Sequence, residues 1–200
     1  MRVLVACEFS GIVRDAFAAC GHDAWSCDIL PTERPGQHIL GDVREHLYDG
    51  WNLMIAHPPC TYLSAAGLHF CKGNKDRMKK RSQAAAFVME LMAAPIKHIA
   101  IENPVGYLST ALRKPEQVVY MNDFGHAEAR KPTCLWLKNL PKLRPTASVP
   151  HIKSKGGGRR ESEWYRKTKS ARLRSLTFKG FAQAMADQWT TRPTKEAADE

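Results

Sequence analysis

Long apolar runs are scarce in this sequence of 200 residues. The first, Arg2 to Cys7, is interrupted at Glu8, whereas a membrane-spanning helix needs about 20 consecutive apolar residues. The N-terminus also lacks the pattern of a secretory signal peptide. We therefore expect neither a membrane span nor export. Hydrophobic residues still make up 44% of the chain and charged residues 25%, which predicts a folded globule rather than a disordered chain.

Closely spaced cysteine pairs are absent as well. No C-x-x-C pair occurs among the six cysteines, Cys7, Cys20, Cys27, Cys60, Cys71 and Cys134. Free thiols in a reducing cytoplasm are the simplest interpretation. A metal site formed by His57, Cys60, His69 and Cys71 is conceivable, but its spacing matches no common zinc pattern, so we expect no metal.

Acidic residues are outnumbered, with 20 Asp and Glu against 30 Lys and Arg, giving a net charge of +10. The excess lies in two segments, 72–81 and 151–174, and the rest of the chain is slightly acidic. Two basic segments on a nearly neutral body are typical of contacts to a polyanion such as DNA, although two solvated loops would have the same composition. The candidate phosphate contacts are Lys72, Lys75, Arg77, Lys79, Lys80, Arg81, Arg159 and Arg160.

Short apolar segments alternate with helical patterns along the chain. Apolar or β-branched runs predict strands at 3–7, 22–27, 52–57, 96–101 and 133–137, and apolar residues at helical spacing predict helices over 12–20, 76–94 and 181–189. This alternation is typical of an α/β fold with a doubly wound parallel sheet.

Polar residues follow the predicted strands where each strand ends. They are Glu8 to Gly11, Asp28, Asp42, Pro58-Pro59-Cys60 and Glu102-Asn103-Pro104. In open α/β sheets the ligand lies beyond these carboxyl ends. Turn residues are common there too, so Asp42 could instead cap the helix that Val43 begins, and Asp28 could belong to a turn before Pro31.

With these residues in this order, the sequence resembles the cytosine-5 DNA methyltransferase family. Phe9-Ser10-Gly11 is similar to the cofactor turn, and Pro58-Pro59-Cys60 with the following Ser64 is similar to the nucleophile loop. Glu102-Asn103-Pro104 resembles the family's Glu-Asn-Val, and the segment containing Arg130 resembles the one that contacts the base. Amino methyltransferases, by contrast, have Asp, Asn or Ser where this chain has His57.

The resemblance implies a Rossmann-like sheet that binds S-adenosylmethionine, with Asp28 on the ribose and Asp42 on the adenine. The other residues implied for the cofactor are Glu8, Phe9, Ser10, Gly11 and Pro58. It also implies that Val13 replaces a glycine of the cofactor turn and that Thr61 replaces a glutamine of the nucleophile loop.

The resemblance further implies covalent catalysis on a base flipped out of DNA. Cys60, as a thiolate in a site that lowers its pKa, would add to carbon 6 of cytosine. Glu102 would hold the base and supply a proton to nitrogen 3. Arg130 would fix the base or its phosphate, and Ser64 would contact the nucleic acid.

The domain organisation that we expect is one catalytic domain over 1–189 and a flexible tail over 190–200. A short basic insert at 138–177 stands where the family carries a target-recognition domain, which predicts weak or very short sequence specificity. The small size fits a phage or restriction–modification setting. Two alternatives remain, a catalytically silent relative that binds nucleic acid or cofactor, and methylation of RNA or a nucleotide.

Overall fold

The computed structural model describes residues 1–127, 131–150, 168 and 170–190. Its strands are β1 (Arg2–Ala6), β2 (Asp23–Asp28), β3 (His38–Leu40), β4 (Leu53–Ala56), β5 (His98–Pro104), β6 (Gln117–Tyr120) and β7 (Pro132–Lys138). The helices are α1 (Ile12–Ala19), α2 (Ala65–Leu68), α3 (Lys75–Ala93), α4 (Leu108–Ala111), α5 (Ala171–Ser175) and α6 (Lys179–Thr190).

The seven strands form one mixed sheet in the order β3-β2-β1-β4-β5-β7-β6. The first five positions are parallel, whereas β7 runs antiparallel to both of its neighbours. The fully parallel sheet predicted from the sequence is therefore wrong at one edge. Parallel neighbours need a long crossover, usually a helix, and the connection from Tyr120 to Pro132 is too short to supply one.

Both faces of the sheet are buried under helices. Neighbouring residues of one strand point to opposite faces, so they pack against different helices. Val3 and Val5 pack towards α1 and α6, and Leu4 and Ala6 pack towards α3. This explains why the central strands are almost continuously apolar. The result is a three-layer α/β arrangement with α6 packed against α1.

The helix predicted over 76–94 is α3, which begins where the Asn74 side chain accepts a hydrogen bond from the backbone N–H of Arg77 at 3.0 Å. Its basic first part is largely exposed, and Ala85, Val88 and Leu91 are buried.

At the other end of the chain, Thr190 is the last residue of α6 rather than the start of a tail. The tail positions 191–200 and most of the predicted insert lie outside the described residues.

The strand order changes direction between β1 and β4, since β2 and β3 lie on one side and β5 on the other. At such a switch point the loops after the two central strands diverge and leave a crevice. Here those loops are 7–11, after β1, and 57–64, after β4. The predicted site residues in these two loops therefore lie together at the carboxyl ends of the parallel strands.

Candidate active site

The loop after β1 is shaped by a buried glutamate. The Glu8 carboxylate accepts hydrogen bonds from Ser10 Oγ at 3.0 Å and from the backbone N–H groups of Val13 at 2.7 Å and Arg14 at 3.1 Å. Gly11 precedes α1 with a φ of 70°, in the left-handed region that favours glycine. Because a helix N-terminus stabilises negative charge, the Glu8 carboxylate caps the first turn of α1. It thereby fixes the conformation of the turn that was predicted to bind cofactor.

A fully buried arginine holds the next loop over this turn. The Arg14 guanidinium contacts the carboxylate of Asp15 at 2.7 Å and donates to the carbonyl oxygens of Arg34 at 3.3 Å and Pro35 at 3.0 Å. Sequence reasoning gave Arg14 no role, although a charged residue among the apolar positions of the predicted helix was a signal.

Two cavities border the turn. The smaller is lined by Cys7, Glu8, Phe9, Ser10, His57, Ser175, Leu176 and Thr177. The larger, about 320 Å³, shares Leu176 and Thr177 with it and reaches Ile12. The segment just before α6 therefore lies beside the turn, and together they enclose the space in which the sequence predicted a cofactor.

Asp28 and Asp42, predicted to bind the ribose and the adenine, already have protein partners. The Asp28 carboxylate is half-buried and accepts from the backbone N–H of Leu30 at 2.9 Å. Burial raises the pKa of Asp28. Asp42 accepts from the backbone N–H of Arg44 at 3.0 Å, as a cap, and pairs with the Arg44 guanidinium. That pairing lowers the pKa of Asp42.

Exposed apolar side chains lie next to Asp28. Ile29 is 76% exposed and Leu40 is 63% exposed, and Leu40 is the register partner of Asp28. Such an apolar surface beside a carboxylate suits a flat heterocycle joined to a polyol. Sequence reasoning missed Ile29, although an apolar residue directly after a strand-end acid was a signal.

The loop after β4 carries the predicted nucleophile. Pro58 is buried, and the next two residues, Pro59 and Cys60, are exposed. Asn103 is buried, and its Nδ2 donates a hydrogen bond of 2.8 Å to the Pro58 carbonyl oxygen. Asn103 thus ties the end of β5 to the nucleophile loop, a role that the sequence alone had not given it.

A second attachment joins the residues after Cys60 to those after Glu102. Ser64 forms an isolated antiparallel bridge with Gly106, and the backbone N–H of Tyr107 donates to the Leu63 carbonyl oxygen at 2.7 Å. A Cβ on Gly106 would lie 2.8 Å from the backbone nitrogen of Ala65 and would also strike the Leu63 carbonyl. Only glycine permits this approach, which holds the two loops together.

The charges around Cys60 oppose its ionisation. Desolvation and the Glu102 carboxylate raise the pKa of the Cys60 thiol, and the Lys131 ammonium offsets this rise only in part. The expectation of a lowered pKa is therefore wrong for the protein alone, because desolvation and the Glu102 carboxylate together outweigh the Lys131 ammonium. Burial raises the pKa of Glu102, but Lys131 and His57 more than offset this effect, so that it lies below its ordinary value.

The first basic segment follows the nucleophile loop and mixes cations with aromatic rings. The Arg77 guanidinium lies 5.1 Å from the centre of the Tyr62 ring and 5.4 Å from that of Phe70, and Arg81 lies 4.3 Å from that of Tyr107. Phe70 is 57% exposed. The other predicted phosphate contacts of this segment, Lys72, Lys75, Lys79 and Lys80, are exposed.

Several predicted site residues cannot be placed. Arg130, Arg159 and Arg160 lie outside the described residues. In the part of the chain that the structure describes, no three His, Cys, Asp or Glu side chains group as a metal site. No helix in that part is long and apolar enough to cross a membrane.

Comparison with known proteins adds little. No protein-family model matches the chain, and no curated protein matches it. Among solved structures, an E. coli prophage protein provisionally described as a DNA modification methyltransferase is 14% identical, with a TM-score of 0.45. The match covers 75% of this chain and 52% of that chain, so the chain spans about half the length of the protein it matches. A similarity this distant carries no argument about function.

Proposed function

We propose that the protein transfers a methyl group from S-adenosylmethionine to carbon 5 of cytosine in DNA through a covalent adduct on Cys60. The observation that carries this proposal is the attachment of the Pro-Pro-Cys loop to the Glu-Asn-Pro segment, through the 2.8 Å bond from Asn103 to Pro58. Two motifs separated by over forty residues meet beside the turn that resembles a cofactor site.

The fold is compatible with the cofactor. The seven-stranded α/β sheet, with one reversed strand near the edge, is consistent with a methyltransferase-like fold, although a fold by itself does not establish an activity. We assign the ribose to Asp28 and the adenine to the exposed Ile29 and Leu40, while Phe9, Ser10 and Pro58 border the methionine part. Glu8 and Gly11 would act indirectly, by shaping the turn. Asp42 would need to exchange Arg44 for the adenine.

The residues of this chain would divide the chemistry as follows. Cys60 Sγ adds to carbon 6 of the base, and the electron pair moves through the ring to nitrogen 3, which gains a proton from the side of Glu102. Carbon 5 then becomes nucleophilic. S-adenosylmethionine, when bound, supplies an electrophilic methyl group. Arg130 remains our candidate for fixing the flipped base.

DNA is the proposed partner, held by exposed cations and rings beside Cys60. Lys72, Lys75, Lys79 and Lys80 would contact phosphates, and the exposed Phe70 ring would offer a surface on which a base could stack. Ser64, which lies between Cys60 and this surface, would contact the strand. We place further contacts at Arg159 and Arg160. Contacts of this kind position the nucleic acid without reading its sequence, so we propose little or short sequence specificity.

The test is mass-spectrometric measurement of 5-methylcytosine in DNA from methylation-deficient cells. The cells express wild type, Cys60→Ser, Glu102→Gln or, as a control, Cys20→Ser, which lies away from the site. We expect 5-methylcytosine with wild type and Cys20→Ser, none with Cys60→Ser, and a large reduction with Glu102→Gln. Unmethylated DNA despite soluble wild-type protein would overturn the proposal.

A silent module that binds cofactor or nucleic acid is the second candidate, and the raised pKa of Cys60 favours it. A single-turnover assay separates the two candidates, because the enzyme forms a methylated product and the silent module forms none. A rise in melting temperature with S-adenosylmethionine but no methylated DNA, RNA or nucleotide would support the silent module. Methylated RNA or nucleotide without methylated DNA would keep the chemistry and change the substrate.

A further inference from the structure

The residue just before the Pro-Pro-Cys loop is a histidine in an unusual position. His57 Nδ1 lies 3.3 Å from Glu102 Oε2, and the two side chains are only 10% and 14% exposed. His57 also lines the smaller cavity beside the predicted cofactor turn. It therefore lies between the carboxylate proposed to hold the base and the space proposed for the cofactor.

His57 Nε2 is buried and makes no hydrogen bond with the residues that the structure describes. Buried polar atoms are nearly always hydrogen-bonded, so an exception calls for an explanation, of which a catalytic role is one. Because an ionised Glu102 is an acceptor only, a neutral His57 bonded to it carries its proton on Nδ1 and leaves a lone pair on Nε2. That lone pair can take up a proton.

The proposed reaction requires a group that can take up a proton in this way. At rest Cys60 is a thiol and Glu102 a carboxylate, as the directions of their pKa shifts indicate. Addition to carbon 6 needs the reverse, a thiolate at Cys60 and a proton beside nitrogen 3 of the base. One proton must therefore leave Cys60 and one must reach nitrogen 3 during the same step.

We propose that His57 is a positioning residue that orients Glu102 and stores this proton. The inference rests on the proposed function. The His57–Glu102 pair takes up the proton that Cys60 loses, so that Nε2 is protonated. Nδ1 passes its proton to Oε2, and Glu102 protonates nitrogen 3 as the bond from Sγ to carbon 6 forms. These transfers reverse when the adduct breaks down, and the hydrogen at carbon 5 leaves to water.

The surroundings of His57 allow this role. The Glu102 carboxylate is the anion in contact with it, and the Lys131 ammonium acts on the same carboxylate. The Glu8 carboxylate borders the cavity but is already bonded to the start of α1. Among the described residues, the titratable and charged groups around this region include Cys7 and Glu8 after β1, Cys60 after β4, Glu102 on β5 and Lys131 before β7.

His57→Asn tests the inference, because an amide can donate to Glu102 but has no transferable proton. The matched control is His46→Asn, which removes another histidine bonded to a carboxylate, Asp49, at 2.9 Å on the surface. The assays are single-turnover methylation and exchange of the hydrogen at carbon 5, each measured from about pH 5 to 8, where imidazole titrates.

We expect His57→Asn to fold, to bind DNA as wild type does, and to lose about 100-fold in kcat at neutral pH, within the range of general acid–base catalysis. Its rate should also depend on pH differently from that of wild type, because the asparagine side chain cannot take up the proton. His46→Asn should match wild type. Full kcat with an unchanged pH profile in His57→Asn would overturn the inference while leaving the proposed function intact.

A second measurement does not depend on turnover. NMR of the His57 ring should show that Glu102→Gln changes the chemical shift of Nδ1, since it removes the paired carboxylate. An unchanged chemical shift would mean that the pair does not exist and would also overturn the inference. A wild type that methylates no substrate overturns the proposed function and, with it, this role of His57.

Discussion

Removing the side chain of Asn103 tests whether one hydrogen bond holds the nucleophile loop against β5. Asn103→Ala deletes the Nδ2 donor that lies 2.8 Å from the Pro58 carbonyl oxygen, in a region where both residues are buried. A buried acceptor left without a donor costs about 1–3 kcal/mol. In a chain of this size, each kcal/mol lowers the melting temperature by about 2–4 °C.

The assay is urea unfolding, followed in parallel with methylation activity. The control is Asn52→Ala, which removes an exposed bond of 2.8 Å to the backbone N–H of Arg2 and should cost less. We expect Asn103→Ala to lose more activity than its residual folded fraction explains, because the loop carrying Cys60 is released. If its unfolding free energy stays within about 0.5 kcal/mol of wild type and its activity is unchanged, the bond does not position the loop.

Three further predictions concern neighbouring features. Gly106→Ala should lower activity and stability together, since its Cβ would strike backbone atoms of 63–65. Unfolding and activity assays check this. The control for backbone strain is Gly21→Ala, where the Cβ would meet no atom but φ is positive. Alkylation of Cys60 by iodoacetamide in the protein alone should be slow at pH 7 and still be rising with pH above the ordinary cysteine range, because its pKa is raised; fast alkylation at pH 7 would refute this. Replacing Lys79 and Lys80 together by Gln should weaken DNA binding and reduce the salt dependence of log K by about 1 per lost phosphate contact; an unchanged slope would remove these lysines from the interface.

The sequence was sufficient for elements with clear local signals. The strands predicted at 3–7 and 52–57 and the helix predicted over 76–94 occur within one or two residues of their predicted bounds, because the strands are continuous apolar runs and Pro95 ends the helical segment. β6 was not predicted. It is a short edge strand, with Val118 43% and Tyr120 37% exposed, so neither a continuous apolar run nor a strict alternation marks it.

The meeting of the loops after β4 and β5 was predicted from the sequence, but the electrostatics around Cys60 were not. The motifs around Cys60 and Glu102 indicated which loops would meet, and the attachment through Asn103 explains how they do. The burial of Arg14 and the capping role of Glu8 depend on which way two loops turn after β1 and β2, and no local pattern records this. The raised pKa of Cys60 has the same origin, since it depends on residues distant in sequence.

The directions of these pKa shifts also constrain how the site could be activated. A thiol at Cys60 with a carboxylate at Glu102 has the same net charge as a thiolate with a carboxylic acid. Passing from one pair to the other therefore needs no proton from solvent, only a redistribution within the site. Binding of a base that accepts a proton at nitrogen 3 would favour this redistribution, because the base stabilises a proton beside Glu102. Under the proposed function, the raised pKa of Cys60 in the protein alone would therefore be compatible with catalysis, because it would keep Cys60 unreactive until a cytosine is in place.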